Sequence, residues 1–207
     1  MKLRDYYDIE FRQKKRYKHR VEIDKEVWHA FNKRWAIKRI NPQGKKVLDL
    51  GCGKGFLPVF FNWTLLHEFD YLGIDSKSYN VAFSNMLFKM YGTGFKAVYG
   101  DLNKDFYFED IDQIWMIGIY VRGFAGDYNH LFNQIAKFLK GDMYFDVPVT
   151  DSRDKYTKKL LTMDLIKEIA RKHDWKMEVE ELERPAYEFR KIGSKAVYKY
   201  LGVKFSV

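Results

Sequence analysis

Short apolar runs and longer amphipathic stretches alternate along this chain. Lys46-Val47-Leu48-Asp49-Leu50 is an apolar run entering a glycine cluster, the pattern of a buried strand. Similar runs predict strands over Tyr71–Ile74, Phe95–Tyr99, Ile111–Ile119 and Met143–Val147, near Trp175–Glu183, and over about Ala196–Phe205. Wider apolar spacing predicts helices from about Phe56, and over Ser78–Met90, Tyr128–Leu139 and Thr162–His173. Pro58 falls in the first turn of its helix, where the missing N–H breaks no bond. Ahead of these elements, Asp24–Ile40 reads as a helix with Val27, Ala30, Phe31, Trp35 and Ile37 on a broad apolar face; Asn41-Pro42 and Gly44 end it. Strands alternating with helices predict an α/β fold with a mostly parallel sheet and helices on both faces. The last two strands have no helix between them, so they are expected to close the sheet as an antiparallel hairpin.

The chemistry concentrates where the first strand meets the first helix. Val47 to Gly55 reads VLDLGCGKG, with Gly51, Gly53 and Gly55 spaced G-x-G-x-G. Glycines let the backbone turn tightly there and approach a ligand closely. The dinucleotide fingerprint G-x-G-x-x-G would need glycine at position 56, which is Phe56. Asp49 stands two residues before the first glycine. An acid there repels a pyrophosphate and favours a cationic ligand. Two further acids end strands: Asp75, placed to accept from ribose hydroxyls, and Asp101, placed to accept from an adenine amino group. Asp101 alone is also the residue type of a helix cap. Phe56, Leu102 and Ile74 are apolar candidates for packing on a purine.

VLDLGCGKG, followed in order by YLGID (Tyr71–Asp75) and VYGDL (Val98–Leu102), resembles the class I methyltransferases that use S-adenosylmethionine (SAM). The resemblance covers roughly Lys46 to Val207. It implies a Rossmann-like, mostly parallel seven-stranded sheet with helices on both faces and a C-terminal antiparallel hairpin. It implies SAM as cofactor, S-adenosylhomocysteine as product, and no metal. Asp49, Gly51 and Gly53 would line the methionine part, Asp75 the ribose, and Asp101 with Leu102 the adenine. Cys52, Gly55 and Ser76 complete the expected cofactor-binding set. The expected organisation is a basic N-terminal extension with a helix, residues 1–45, before a methyltransferase domain, residues 46–207.

Absent motifs narrow the methyl acceptor. Cys52 is the only cysteine and sits in the glycine loop, leaving no thiolate for methylation at pyrimidine C5. No Asp/Asn-Pro-Pro-aromatic run follows the fourth strand; the chain there reads Ile117-Gly118-Ile119-Tyr120-Val121-Arg122-Gly123. That disfavours exocyclic amines of bases, and Tyr120 in place of an Asp disfavours ribose 2′-O methylation. Tyr120 could orient an acceptor, and His130 could take a proton near neutral pH; these are the catalytic candidates. Arg122 and Tyr128 are substrate-binding candidates, Arg122 for a carboxylate or phosphate. Each also reads as an ordinary surface or helix-start residue. Asp146-Val147-Pro148 and Leu161–Trp175 resemble the segments after the fifth strand in small-molecule enzymes of this group. Tyr187, Phe189 and Arg190 fall on the hairpin connection.

Charge adds the second acceptor class. The chain of 207 residues carries a net charge of +9. Residues 1–46 hold 15 Lys+Arg against 6 Asp+Glu, while residues 47–207 hold 22 of each. Phe11–Arg20 has six basic residues and no acid, with Arg16 and Lys18 among the substrate-binding candidates. A basic arm with interleaved aromatics suits the phosphates and bases of RNA or DNA. A solvated helix face and an anionic membrane surface are the other readings of the same run. The candidate acceptors are therefore nucleic acid and a small molecule. A SAM-binding accessory protein without catalysis is the alternative of a different class. A single cysteine, no apolar leader in MKLRDYYDIE and no long apolar run point to the cytoplasm and to no membrane span.

Overall fold

The structure, a computed structural model, describes residues 34–118, 127–149, 161–182 and 199–207. The chain divides into two compact units, residues 1–39 and 40–207. The described part of the first is helix α1, Arg34–Arg39, the C-terminal end of the helix expected over Asp24–Ile40. Its last turn carries Lys38 and Arg39, the charge that a helix C-terminus favours.

The second unit is built on a seven-stranded sheet. Its strands are β1 (Lys46–Leu50), β2 (Asp70–Asp75), β3 (Lys96–Tyr99), β4 (Ile111–Met116), β5 (Leu139–Val149), β6 (Lys176–Glu181) and β7 (Lys199–Ser206). They lie in the order β3-β2-β1-β4-β5-β7-β6. The first five pair in parallel, and β7 runs antiparallel between β5 and β6. This is the expected Rossmann-like α/β sheet with its terminal hairpin. The described helices between strands are α2 (Phe56–Val59), which continues as a π-helical turn over Phe60–Thr64, α3 (Ser78–Tyr91), α4 (Tyr128–Ile135) and α5 (Met163–Lys172). Asp127 caps α4 by accepting from Asn129 N, and Thr162 caps α5 by accepting from Leu165 N.

Period-two alternation divides the sheet's side chains between two cores. Leu48, Leu50, Ile74, Ile114 and Met116 pack with Leu131, Phe132 and Ile135 of α4 and Ile166 and Ile169 of α5. On the other face Tyr71 and Trp115 meet Phe61 of the π turn and Phe88 of α3, with Phe69 and Phe95 between them. Asp49 and Gly73 lie on this aromatic face.

Three boundaries differ from the sequence expectation. The strand expected to reach Ile119 ends at Met116, because Ile117-Gly118 turns, with Gly118 at φ +74°. The helix expected over Tyr128–Leu139 ends at Ile135, where three-residue turn bonds from Lys137 N to Gln134 O and Phe138 N to Ile135 O close it. Phe138 fits a helical stripe, yet it packs on Phe106 and Phe108 in a turn. β5 then begins at Leu139 rather than Met143, and Asp146-Val147-Pro148 lies within it rather than after it.

Candidate functional site

The glycine loop leaves the C-terminal end of β1, which lies between β2 and β4 in the sheet. Gly51 N and Cys52 N both donate to Ile74 O of β2, at 2.8 and 2.9 Å. Gly55 N donates back to Cys52 O at 3.1 Å, which closes the turn into α2. Gly51, Gly53 and Gly55 all take left-handed φ, at +74°, +58° and +69°. The last two differ in surroundings. A Cβ on Gly55 would lie 2.7 Å from the Phe88 ring and 3.0 Å from Ser84 Oγ, so this glycine lets α3 pack against the loop. A Cβ on Gly53 would meet no described atom within 4 Å. The loop is thus bare at Gly53, where a ligand can come against the backbone.

Asp75 is the hub of the site. Its Oδ2 accepts from Gly53 N at 3.0 Å, and its Oδ1 accepts from Lys77 N at 2.8 Å and Asn80 Nδ2 at 3.0 Å. The carboxylate is buried. Ser84 Oγ donates to Gly53 O at 3.0 Å and holds the loop from α3. Ser76, beside Asp75, is exposed.

Asp49 lies beneath the loop. It is buried and accepts a 2.8 Å hydrogen bond from Tyr71 OH. Cys52 stands above it, half-buried and unpaired in any disulfide. Burial first, then the charges of Asp49 and Asp75, push the Cys52 thiol far above its usual range, which disfavours the thiolate.

Asp101 follows β3 rather than ending it. Gly100 N donates to Asp75 O at 3.2 Å and ties the two strand ends together. The Asp101 carboxylate accepts from Asn103 N at 3.0 Å and Asn103 Nδ2 at 2.7 Å, an Asx turn and not a helix cap. Those two bonds, the backbone one first, hold its carboxyl below the usual range. Leu102 is half-buried against the α4 and α5 side of the core. Ile74 is buried, with its Cγ2 directly under Gly100, and presents no surface to a purine. Phe56 packs edge-on against Phe83.

Two of the acceptor candidates lie among the described residues. Tyr128 and His130 occupy the first turn of α4; burial pushes the Tyr128 hydroxyl up to about 12. His130 Nε2 is 3.3 Å from Asp105 Oδ1, whose carboxylate also accepts from Gln134 Nε2 at 2.8 Å. Tyr120, Arg122, Arg16, Lys18, Tyr187, Phe189 and Arg190 lie outside the described residues. The residues missed by sequence reasoning are Tyr71, Asn80 and Ser84, together with the side-chain role of Asp146. The buried Asp146 carboxylate accepts from Gly118 N and pins the end of β4 to β5. The glycine inside YLGID was the one available signal for Tyr71, since a bare strand position marks a close approach.

Neither a family model nor a curated protein sequence matches the chain. Solved structures do match in shape. A geranyl diphosphate C-methyltransferase from Streptomyces coelicolor A3(2), in complex with Mg2+, geranyl diphosphate and S-adenosyl-L-homocysteine, aligns with TM-score 0.66 at 11% identity, over 87% of this chain and 80% of that one. A putative sarcosine dimethylglycine methyltransferase from Galdieria sulphuraria aligns with TM-score 0.64 at 14% identity, over 90% and 86%. The [4+2]-cyclase SpnF aligns with TM-score 0.62 at 12% identity, over 92% and 84%. At these identities the likeness is one of fold, and the fold of this chain is that of the class I SAM-dependent methyltransferases.

Proposed function

We infer that the chain is a SAM-dependent methyltransferase acting on a small molecule. The observation that carries the reading is the loop itself: a G-x-G-x-G turn, bare at Gly53, bonded to a carboxylate at the end of β2. The residues fit the donor. Gly51 to Gly55 would receive its methionine part, Asp75 its ribose hydroxyls, and Asp101 with Leu102 its adenine. Cys52 and Ser76 flank the same path. The negative charge of Asp49 and Asp75 favours a ligand that carries a sulfonium and an ammonium and no phosphate.

When bound, SAM supplies an electrophilic methyl group for in-line displacement. The chain's own task is then to hold the acceptor in line and to exclude water. The turn at Ile117-Gly118, fixed by Asp146, and the first turn of α4 are the candidate acceptor walls. Tyr120, Arg122 and Tyr128 are the candidates for orienting the acceptor, and His130 for taking a proton where its nucleophile needs one.

Small-molecule acceptors are favoured because the similar structures named above include enzymes of geranyl diphosphate and sarcosine. A second acceptor class, RNA or DNA, rests on the charge of residues 1–46 alone. Since a cyclase shares the fold, product release must be measured directly. The protein is incubated with methyl-labelled SAM and either fractionated metabolite pools or RNA and DNA. Label in a small-molecule fraction, with S-adenosylhomocysteine released, is the expected result. Label confined to nucleic acid, with binding that weakens steeply with salt, would move the reading to the polymer. Tight SAM binding with no product on any acceptor would favour a non-catalytic binding protein.

A further inference from the structure

Under the glycine loop, the packing leaves a side-chain hydroxyl doing something that packing does not require. In the β1–β2 pairing, Val47 stands beside Tyr71 and Asp49 beside Gly73. Gly73 therefore places no side chain next to Asp49. A Cβ there would lie 2.7 Å from Cys52 Sγ and 2.9 Å from Tyr71 OH, so the loop and the tyrosine meet in that gap. The Tyr71 ring is fixed by Phe69, Phe88, Phe95 and Trp115, with centroids 5.1 to 6.4 Å away. Phenylalanine would satisfy all four contacts. The hydroxyl instead reaches the buried Asp49 carboxylate at 2.8 Å. Burial first, and then the charge of Asp49, keep that hydroxyl protonated and hence a donor.

Resting on the methyltransferase reading above, we propose that Tyr71 is a positioning residue for the donor site: it fixes the Asp49 carboxylate under the glycine loop and so sets the loop's affinity for the SAM family of ligands. A buried carboxylate needs donors, and losing one leaves its charge poorly solvated. Without the hydroxyl, Asp49 takes up a proton more readily or shifts, and the loop directly above it loses its fixed base.

The test is calorimetric binding of S-adenosylhomocysteine to wild type, Tyr71→Phe, Asp49→Asn and the double variant, with circular dichroism to confirm folding. Tyr71→Phe should weaken binding about 5- to 10-fold, as when a charged group loses one buried hydrogen bond. The double variant should bind no worse than the weaker single, because the two residues act as one unit. Affinity of Tyr71→Phe should also fall more steeply with falling pH than that of wild type, because an Asp49 carboxylate short of one donor takes up a proton more readily. A purely structural tyrosine would not produce that pH dependence. Wild-type affinity in a folded Tyr71→Phe, or additive losses in the double variant, would overturn the proposal. Absence of binding by wild type itself would instead overturn the methyltransferase reading beneath it. Should Tyr71→Phe fail to fold, wild type labelled with 13Cζ-tyrosine supplies the readout: the Tyr71 resonance should shift when S-adenosylhomocysteine saturates the protein, and an unmoved resonance overturns the proposal.

Discussion

Gly53 and Gly55 stand two residues apart with the same left-handed backbone, and alanine should separate their roles. At both positions it takes a conformation costing about 1–2 kcal/mol. At Gly55 the added Cβ also meets Phe88 at 2.7 Å, a further cost of about 1–3 kcal/mol. Urea unfolding should therefore show Gly55→Ala clearly less stable than Gly53→Ala. Calorimetry should show the opposite order for ligand: Gly53→Ala is predicted to lose S-adenosylhomocysteine affinity well beyond its small loss of stability. Asp75→Ala should be damaged in both respects. It removes the acceptor of three hydrogen bonds, so about 1–3 kcal/mol of stability goes with a similar loss of ligand binding. An Asp75→Ala variant with unchanged melting temperature would contradict the hub role. The glycines and Asp75 were legible in the sequence because their spacing from a strand end carries the chemistry. Tyr71 was not, because its partnership with Asp49 depends on strand register, and nothing in a linear pattern says which residue faces Gly73.

At the scale of elements, the edge strand β3 depends on α3. Asn85 Nδ2 donates to Ala97 O and its Oδ1 accepts from Ala97 N, both at 2.8 Å. One side chain thus satisfies both backbone groups of a residue on the sheet's outermost strand. Asn85→Ala should cost about 1–3 kcal/mol and loosen β3, read as faster amide exchange at Ala97 while β1 and β4 keep their protection. Uniform protection across the sheet would contradict that dependence. Strand and helix identities were legible because short apolar runs and longer amphipathic stretches differ clearly in this chain. The moved end of α4 and the moved start of β5 share one cause. Phe138 and Leu139 continue the apolar stripe of α4, while the polar Lys140-Gly141-Asp142 masks the start of β5. Gly141 is required there by close approach, since its Cβ would fall on Asp112 O. The pairing of β4 and β5 is irregular at the same place, between Ile111 and Gln113. Tertiary contact decides such a segment, and local pattern cannot.

Over the whole molecule, charge and chemistry occupy different stretches of chain. The excess of basic residues precedes β1, and the loop and its acids lie between residues 49 and 102. Among the described residues no helix is long and apolar enough to cross a membrane. Burial also gives the folded body a common response to alkali. The hydroxyls of Tyr71, Tyr128 and Tyr144 and the thiol of Cys52 are all pushed up, chiefly by desolvation. In the unfolded chain these groups ionise above roughly pH 9–10, while the folded protein holds their protons. Stability should be full below that range and fall as pH rises through it, because the unfolded state then binds fewer protons. Melting temperatures at pH 8 and pH 10.5 check the sign, and equal values would contradict it. The central claim, that the loop between β1 and α2 is built for a sulfonium nucleoside and not for a dinucleotide, is tested most directly by calorimetric titration of the full chain with S-adenosylhomocysteine, SAM and NAD in turn. Saturable binding of the first two with no heat from NAD is the predicted result; binding of NAD without either of the others would contradict it.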